Sequence, residues 1–361
     1  MHTLRLVSKI LSIAGCWPPT SCSRRKKLLF DVYTVVVFLF IHTFTITLIL
    51  DIFLIVDNLA DFNDNFCITV PLLSTCFKLY SLLANRRNME TLLDTLEQEP
   101  FAPVNIDECE IRRRFHRLTE WNTTVYMILV KFCIMWMFVT SSTNYRLRKL
   151  KFRAWLPYDY SSTVLFNLTY FHQIVSALYA GLLGVSSETL YSGLLIHTHG
   201  QLELLEYRLK NIEKNENYSV KRFAARVNRG FKTIVSTQFL FSTLVVCFQL
   251  YQFTQMKRTM NSELLEMMIF LFTILIQVFY YCWYGNETKL KSLAIPDMIF
   301  GSNWTSFNNN TRKILLMIMR RATVPIEITS VFVVSMNLQT FVTIMKITYS
   351  SYNILKDSSK K

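Results

Sequence analysis

Glycine and proline are scarce, 8 of each in 361 residues. That leaves no room for a long flexible linker or for a second domain on a tether. No internal repeat and no low-complexity segment interrupts the chain. The eight cysteines, at 16, 22, 67, 76, 109, 133, 247 and 282, form no CxxC pair and no Cys/His cluster. Neither a disulfide framework nor a metal site is therefore expected, and burial as small apolar residues is the simpler role. No Ser/His/Asp set, HExxH, P-loop or paired-carboxylate motif is present, so neither enzymatic chemistry nor a cofactor is expected. Residues 1–27 carry six Lys and Arg and only short apolar pieces. With no small-residue cleavage site after the first long apolar run, no cleavable signal peptide is expected.

What the chain has in excess is apolar residues in runs. It is 51% hydrophobic and 14% aromatic, with a mean hydropathy of +0.26. Those values exceed a soluble domain's and point to an all-α, polytopic membrane protein folded as one unit over 1–361. Seven spans are expected near 28–50, 65–84, 121–142, 164–186, 233–254, 264–284 and 325–353, each close to the ~20 residues a bilayer requires. A formal charge of +14 would suggest nucleic acid in a soluble protein. Here the basic residues cluster between apolar runs, and no nucleic-acid motif accompanies them.

Their distribution sets an expected orientation. Residues 1–27, 85–120, 205–232 and 285–324 together hold 26 Lys and Arg, while the alternate connections and the tail hold 11. The positive-inside rule then puts the N-terminus in the cytosol and the C-terminus outside. The loop 143–163, with RLRKLKFR, runs against this trend. A G-protein-coupled receptor would need the opposite orientation, and the chain has SSTNYRLRKL where an Asp-Arg-Tyr would follow the third span. A transporter is opposed by the absence of inverted repeats and of broken Gly/Pro-rich helices. Segments 86–120, 197–231 and 304–323 carry helical apolar spacing and are expected to form a cytosolic anchor region suited to subunit association. The sequons at Asn122, Asn217, Asn286, Asn303 and Asn309 fall at or inside the cytosolic face. Asn167, at the outer end of the fourth span, is the one plausible glycan acceptor.

The last apolar segment carries the sharpest pattern. Placed on a helix, Ser335, Gln339, Thr343, Lys346, Ser350 and Asn353 fall within one sector roughly 80° wide. A wholly polar stripe cannot face lipid. It lines a pore or makes polar contacts to another helix, and the residues alone leave both readings open. Lys131, near mid-depth in the third span, is a candidate functional charge, or else it snorkels or pairs with a buried acceptor such as His172 or Glu188. Lys78, near its span's cytosolic end, is expected to snorkel. His42 and His172 read as satisfied bundle histidines. At similar depth in the outer halves lie Phe66, Val70, Met135, Trp136, Phe138, Val139, Phe166, Tyr170, Ile174, Met267, Met268 and Phe272. They could line an apolar pocket for a small, weakly polar molecule, or be ordinary bundle core.

Several stretches, taken in order, resemble the insect odorant receptor family. These are GCWPP (15–19), HTHGQLELLEYRL (197–209), YGNETKLKSLAIPDMIFGSNW (284–304), RKILLMIMRRATVPIEIT (312–329) and SMNLQTFVTIMKITYSSYNILK (335–356). Pro296 and Phe300 depart from the family pattern. The resemblance implies a ligand-gated, non-selective cation channel in the plasma membrane of sensory-neuron dendrites, assembled as a hetero-tetramer with a shared co-receptor. It further implies a small volatile ligand in the outer half of the bundle and a last helix that lines the pore. Tyr349, Tyr352 and Ile354 would then form the gate, and Lys356 would have to point away from the cation path. Only about 25 residues separate Glu206 from Phe231, without the co-receptor's long insertion, so the chain resembles an odorant-tuning subunit. A gustatory receptor would share the topology but not the ending, since Gln339 and Phe341 here precede Thr348 and Tyr349. The expected orientation is checked with an epitope tag at each terminus in unpermeabilised cells: a C-terminal tag is stained and an N-terminal tag is not.

Overall fold

The computed structural model describes residues 4–18, 23–210, 240–250, 262–302, 304–329 and 335–358. The described residues are helical apart from turns and one isolated bridge between Thr329 and Ser335. The helices are α1 (Arg5–Ile13), α2 (Arg24–Leu54), α3 (Leu59–Ala84), α4 (Arg86–Thr95), α5 (Ile106–Arg146) and α6 (Thr163–Lys210). They continue as α7 (Leu240–Leu250), α8 (Ser262–Leu293), α9 (Ile295–Phe300), α10 (Asn309–Ala322) and α11 (Leu338–Ser358). Among the described residues α2, α3, α5, α6 and α8 are long and apolar enough to cross a membrane. The polar stripe keeps α11 below that mark, and α7 is the described part of the expected fifth span.

Local chemistry sets several boundaries. The side chains of Asn58 and Asn308 accept the backbone N–H groups of Asp61 and Thr311, capping α3 and α10. Asp107 and Glu108 occupy the first turn of α5 and Arg146 its last, each favourable to the helix dipole. Expected segment 86–120 is divided: α4 ends at Thr95, a turn follows, and α5 runs unbroken from Ile106 into its span. Likewise α6 carries its span into the expected 197–231 helix, of which 211–231 lies outside the described residues.

The helix α6 is the hub, lying against α1, α2, α3, α5, α8 and α9. At 48 residues it is about 70 Å long at 1.5 Å per residue, more than twice a bilayer's hydrocarbon thickness. Its small residues admit its neighbours: Leu4 packs on Gly193 and the Phe115 ring on Gly200. Close approach over small residues is how membrane helices gain dispersion energy, because lipid offers no hydrophobic drive between them.

We call the end of the bundle that carries α4, α9 and α10 the near end. There the largest buried cluster joins α1, α3, α4, α6, α8, α9 and α10, including Leu11, Trp17, Leu79, Met89, Leu194, Tyr281 and Ile299. Arg208 clamps the α4–α5 turn, donating to Glu108 at 2.7 Å and to the carbonyls of Pro100 and Ala102 at 2.6 and 2.9 Å. Cys16 lies in this core, where burial pushes its thiol up to about 12 and keeps it protonated. The described cysteines are free thiols, and Cys22 lies outside the described residues.

The structure corrects the expectation for Lys78 and narrows that for Lys131. Lys78 does not snorkel: it is 4% exposed, and its Nζ donates to Glu188 Oε1 at 2.5 Å. Lys131 pairs with neither expected partner. It is exposed on α5, Glu188 is taken by Lys78, and His172 meets Thr43 Oγ1 at 2.9 Å. Tyr281 on α8 donates to the second Glu188 oxygen. One carboxylate thus ties α3, α6 and α8 together. Removing one partner of such a pair leaves a buried charge and costs about 3–5 kcal/mol, whereas replacing both is far milder. Lys78→Met is therefore expected to lower the thermal midpoint of the purified protein by several degrees. Adding Glu188→Leu should recover much of that loss, and additive losses would refute the coupling.

Candidate functional site

The last helix starts later than its apolar run. The run begins at Pro325, but α11 begins at Leu338, and the described residues before it, 325–329 and 335–337, are not helical and form a strap. Asn337 sets that start by accepting the Thr340 N–H on its Oδ1 at 2.8 Å. The strap is fastened to α8 at three places. Ile326 donates its N–H to Ser292 Oγ at 2.9 Å, and Glu327 pairs with Lys289 at 2.7 Å. Met336 donates its N–H back to Ile328 at 2.8 Å and sits directly on Gly285. Ser335 is therefore not on the helical stripe. It closes the strap, bonding Glu327 through its hydroxyl at 3.3 Å.

From Gln339 onward the stripe survives. Gln339, Thr343, Lys346 and Ser350 are all exposed, and Asn353 is half-buried. The principal neighbour of α11 is α8, through contacts such as Phe341 edge-on to Phe279 at 5.6 Å. Tyr349, one of the expected gate residues, is 62% exposed. The side chains of the other two, Tyr352 and Ile354, and of Lys356, lie outside the described residues.

A polar core adjoins the strap. Tyr281, bonded to Glu188, meets the Tyr191 ring edge-on at 4.8 Å, and the Tyr191 hydroxyl reaches Met336 Sδ at 3.1 Å. Beside it a cavity of about 10 Å³, room for roughly one water, is lined by Asn122, Glu188, Gln277, Tyr280 and Tyr281 among others. A continuous chain of contacts therefore runs from Lys78 to the strap that leads into α11. The sequence held a signal for it: Lys78 and Glu188 both fall at the near ends of their spans, where depth alone would have paired them.

At the far end the expected pocket residues separate into groups. Phe66 and Val70 join α7 and α8 in one cluster with Val245, Val246 and Ile274, and Phe66 lies 4.5 Å from the Phe248 ring. Phe166 and Tyr170 instead stack with Tyr145 at 5.8 and 5.2 Å. The Tyr170 hydroxyl is bonded to Ser141. Trp136 and Ile174 are half-buried. Met135, Val139, Met268 and Phe272 are 54%, 54%, 45% and 57% exposed and face away from the bundle. Among the described residues these side chains line no single closed pocket, because the helical phase of α5 and α8 turns Met135, Val139, Met268 and Phe272 outward.

The loop 147–162 folds back over this end. Gln173 binds the backbone of Phe152 twice, at 3.2 and 2.9 Å, and Phe152 packs on Phe44. Its cations are matched by acids. Lys151 meets Glu266 at 2.9 Å, and Arg153 meets Asp51 at 3.2 Å and also Asp61. Asn167 stands exposed at the same end.

Comparison with known proteins adds a family. A family model described as 7tm Odorant receptor matches residues 58–349. Odorant receptor Or1 of Anopheles gambiae is 22% identical over 390 residues, spanning 96% of this chain and 93% of that one. Odorant receptor 13a of Drosophila melanogaster is 22% identical over 402 residues, spanning 97% and 95%. The fold matches insect olfactory receptor OR5 from Machilis hrabei, solved in complex with eugenol, with a TM-score of 0.88 at 18% identity over 98% of this chain and 97% of that one.

The strap's dependence on Gly285 is directly testable. A Cβ there would lie 2.5 Å from the Met336 carbonyl oxygen, whereas one at Gly184 meets nothing within 4 Å. Gly285→Ala is expected to cost about 1–3 kcal/mol, read as a drop in thermal midpoint, while Gly184→Ala leaves the midpoint unchanged. Equal behaviour of the two variants would show that Met336 is not held against α8.

Proposed function

The chain belongs to the 7tm odorant receptor family, and on that premise we propose that it is an odorant-tuning subunit of a ligand-gated cation channel. Members of this family are multi-pass membrane receptors that act as channels, not enzymes. The finer reading has this chain assembling with a shared co-receptor as a hetero-tetramer in the plasma membrane of a sensory-neuron dendrite, N-terminus inside and C-terminus outside. The observation that carries it is the exposed polar stripe Gln339, Thr343, Lys346 and Ser350 on α11. These side chains are exposed in the described structure, and lipid is a poor environment for their polar groups. Water in a central pore, walled by the equivalent helices of other subunits, satisfies them.

The ligand on this reading is a small, mostly apolar volatile with a single polar group or two, chemistry of the kind eugenol offers to OR5. Phe66 and Val70, clustered with Val245, Val246 and Ile274, are proposed as one apolar wall, with Trp136 and Tyr170 as separate candidate contacts, because aromatic and aliphatic walls suit such a molecule. Binding favours one packing of the outer bundle over another by its differential affinity for the two. The contact chain Lys78–Glu188–Tyr281–Tyr191–Met336 offers a route by which α8 and the strap bias the position of α11, and the gate at Tyr349, Tyr352 and Ile354.

Whole-cell current under a panel of volatiles, with this chain expressed alone, the co-receptor alone and the two together, tests the reading. A rapid cation current to a volatile that only the pair supports is the expected result. The same current from this chain alone would overturn the tuning-subunit assignment in favour of a self-sufficient channel.

A further inference from the structure

On the outer surface of α5 near the near end, Arg114, Arg117, Leu118 and Trp121 share one helical face, spaced three, four and seven residues apart. With Phe115 and with His199 of α6 they line an open groove of about 620 Å³. The groove exists because Gly200 lets the Phe115 ring sink against α6, its Cγ 2.8 Å from where a Cβ would stand.

One cation on this groove is unmatched. Arg114 lies over the Phe115 ring at 5.1 Å and pairs with Glu203 at 2.6 Å, an acid it shares with Lys291 at 2.9 Å, while Lys291 also pairs with Glu206. Glu120 lies beside His116 at 3.4 Å. Arg117 has no acidic partner among the described residues. His199 leaves its Nδ1 without a hydrogen-bond partner at the inner edge of the groove. One turn along the helix the character changes: Leu118 is 38% and Trp121 67% exposed, and the expected apolar span of α5 begins there. A lone Trp at such a boundary sits at headgroup level, and arginines one turn beyond it reach the phosphate layer.

We propose that this groove binds an anionic phospholipid. Arg114 and Arg117 engage the phosphate, a planar fork matched to that anion. Trp121 and Leu118 lie along the upper part of the acyl chains. The chemistry fits an amphiphile, because the cationic and apolar halves meet end to end along one stripe. Assignment to the cytosolic leaflet rests on the proposed orientation; binding itself does not.

The test uses the purified full-length chain in detergent and short-chain phosphatidylglycerol, phosphatidylcholine and inorganic phosphate as probes, with affinity read from the thermal shift. Phosphatidylglycerol is expected to stabilise the protein at lower concentration than phosphatidylcholine. Arg117→Gln is expected to weaken phosphatidylglycerol about fivefold, a typical effect of one basic residue at a lipid surface, and to leave phosphatidylcholine unaffected. Trp121→Ala is expected to weaken both lipids, while leaving the midpoint without lipid in place because the side chain is exposed. Equal response to the two lipids in the unmodified chain would overturn the proposal. So would an inorganic phosphate effect as large as that of phosphatidylglycerol, which would make the groove a site for free anions. Loss of subunit assembly in Arg117→Gln with no change in lipid response would assign the face to a neighbouring subunit instead.

Discussion

One carboxylate sets the geometry of the inner bundle. Glu188 is 5% exposed on the most connected helix and is held by Lys78 from α3 and Tyr281 from α8. In low dielectric a lone carboxylate is untenable, so the three helices must keep the register that brings these groups together. Apolar packing alone tolerates sliding in a membrane, where helix–helix and helix–lipid contacts are alike in chemistry. The ion pair supplies specificity that small residues and Leu do not. It also lies within two side chains of Met336, so whatever shifts α6 against α8 is felt where the chain enters its last helix.

The same logic of matched charge explains the opposite end. Five basic residues in 143–163 contradict the side on which basic residues otherwise collect. Lys151 and Arg153 are not free charges, however. They are paired with Glu266, Asp51 and Asp61, all at the far ends of other helices. The rule counts cations that a loop must keep on one side, and paired ones weigh less. A loop rich in Lys and Arg can therefore serve as a fold-back cap, with Phe152 and Gln173 fixing it over α2 and α6.

How legible the fold was depended on the range of the signal. Apolar runs gave the helices of the spans because length and hydropathy are local properties. The segment before α11 escapes the same signal: its apolar residues extend the run of a span, yet the described residues 325–329 and 335–337 are not helical. The helix start was written in Asn337, whose side chain caps Thr340, but one Asn in an apolar run is a weak mark. Lys78 and Glu188 stand 110 residues apart, and only depth relative to the membrane connects them. The expected pocket residues were chosen by depth without phase, so Met135 and Val139 came with Trp136 although they turn to the outside.

Phase is also what makes the last helix informative. On a two-sided element, burial of one face says little about the other. Here α11 meets α8 where Phe341 lies against Phe279, and leaves Gln339, Thr343, Lys346 and Ser350 open, with the exposed Val342, Ile347 and Tyr349 on either flank of the stripe. A helix of this composition is not stable against lipid on that face, because each unpaired polar group there costs several kcal/mol. Nor does the chain fold back to cover it among the described residues. The single chain thus leaves one polar stripe exposed among the described residues, and the solvation of those four side chains is the constraint that the proposed assembly, with equivalent helices around a water-filled axis, would meet.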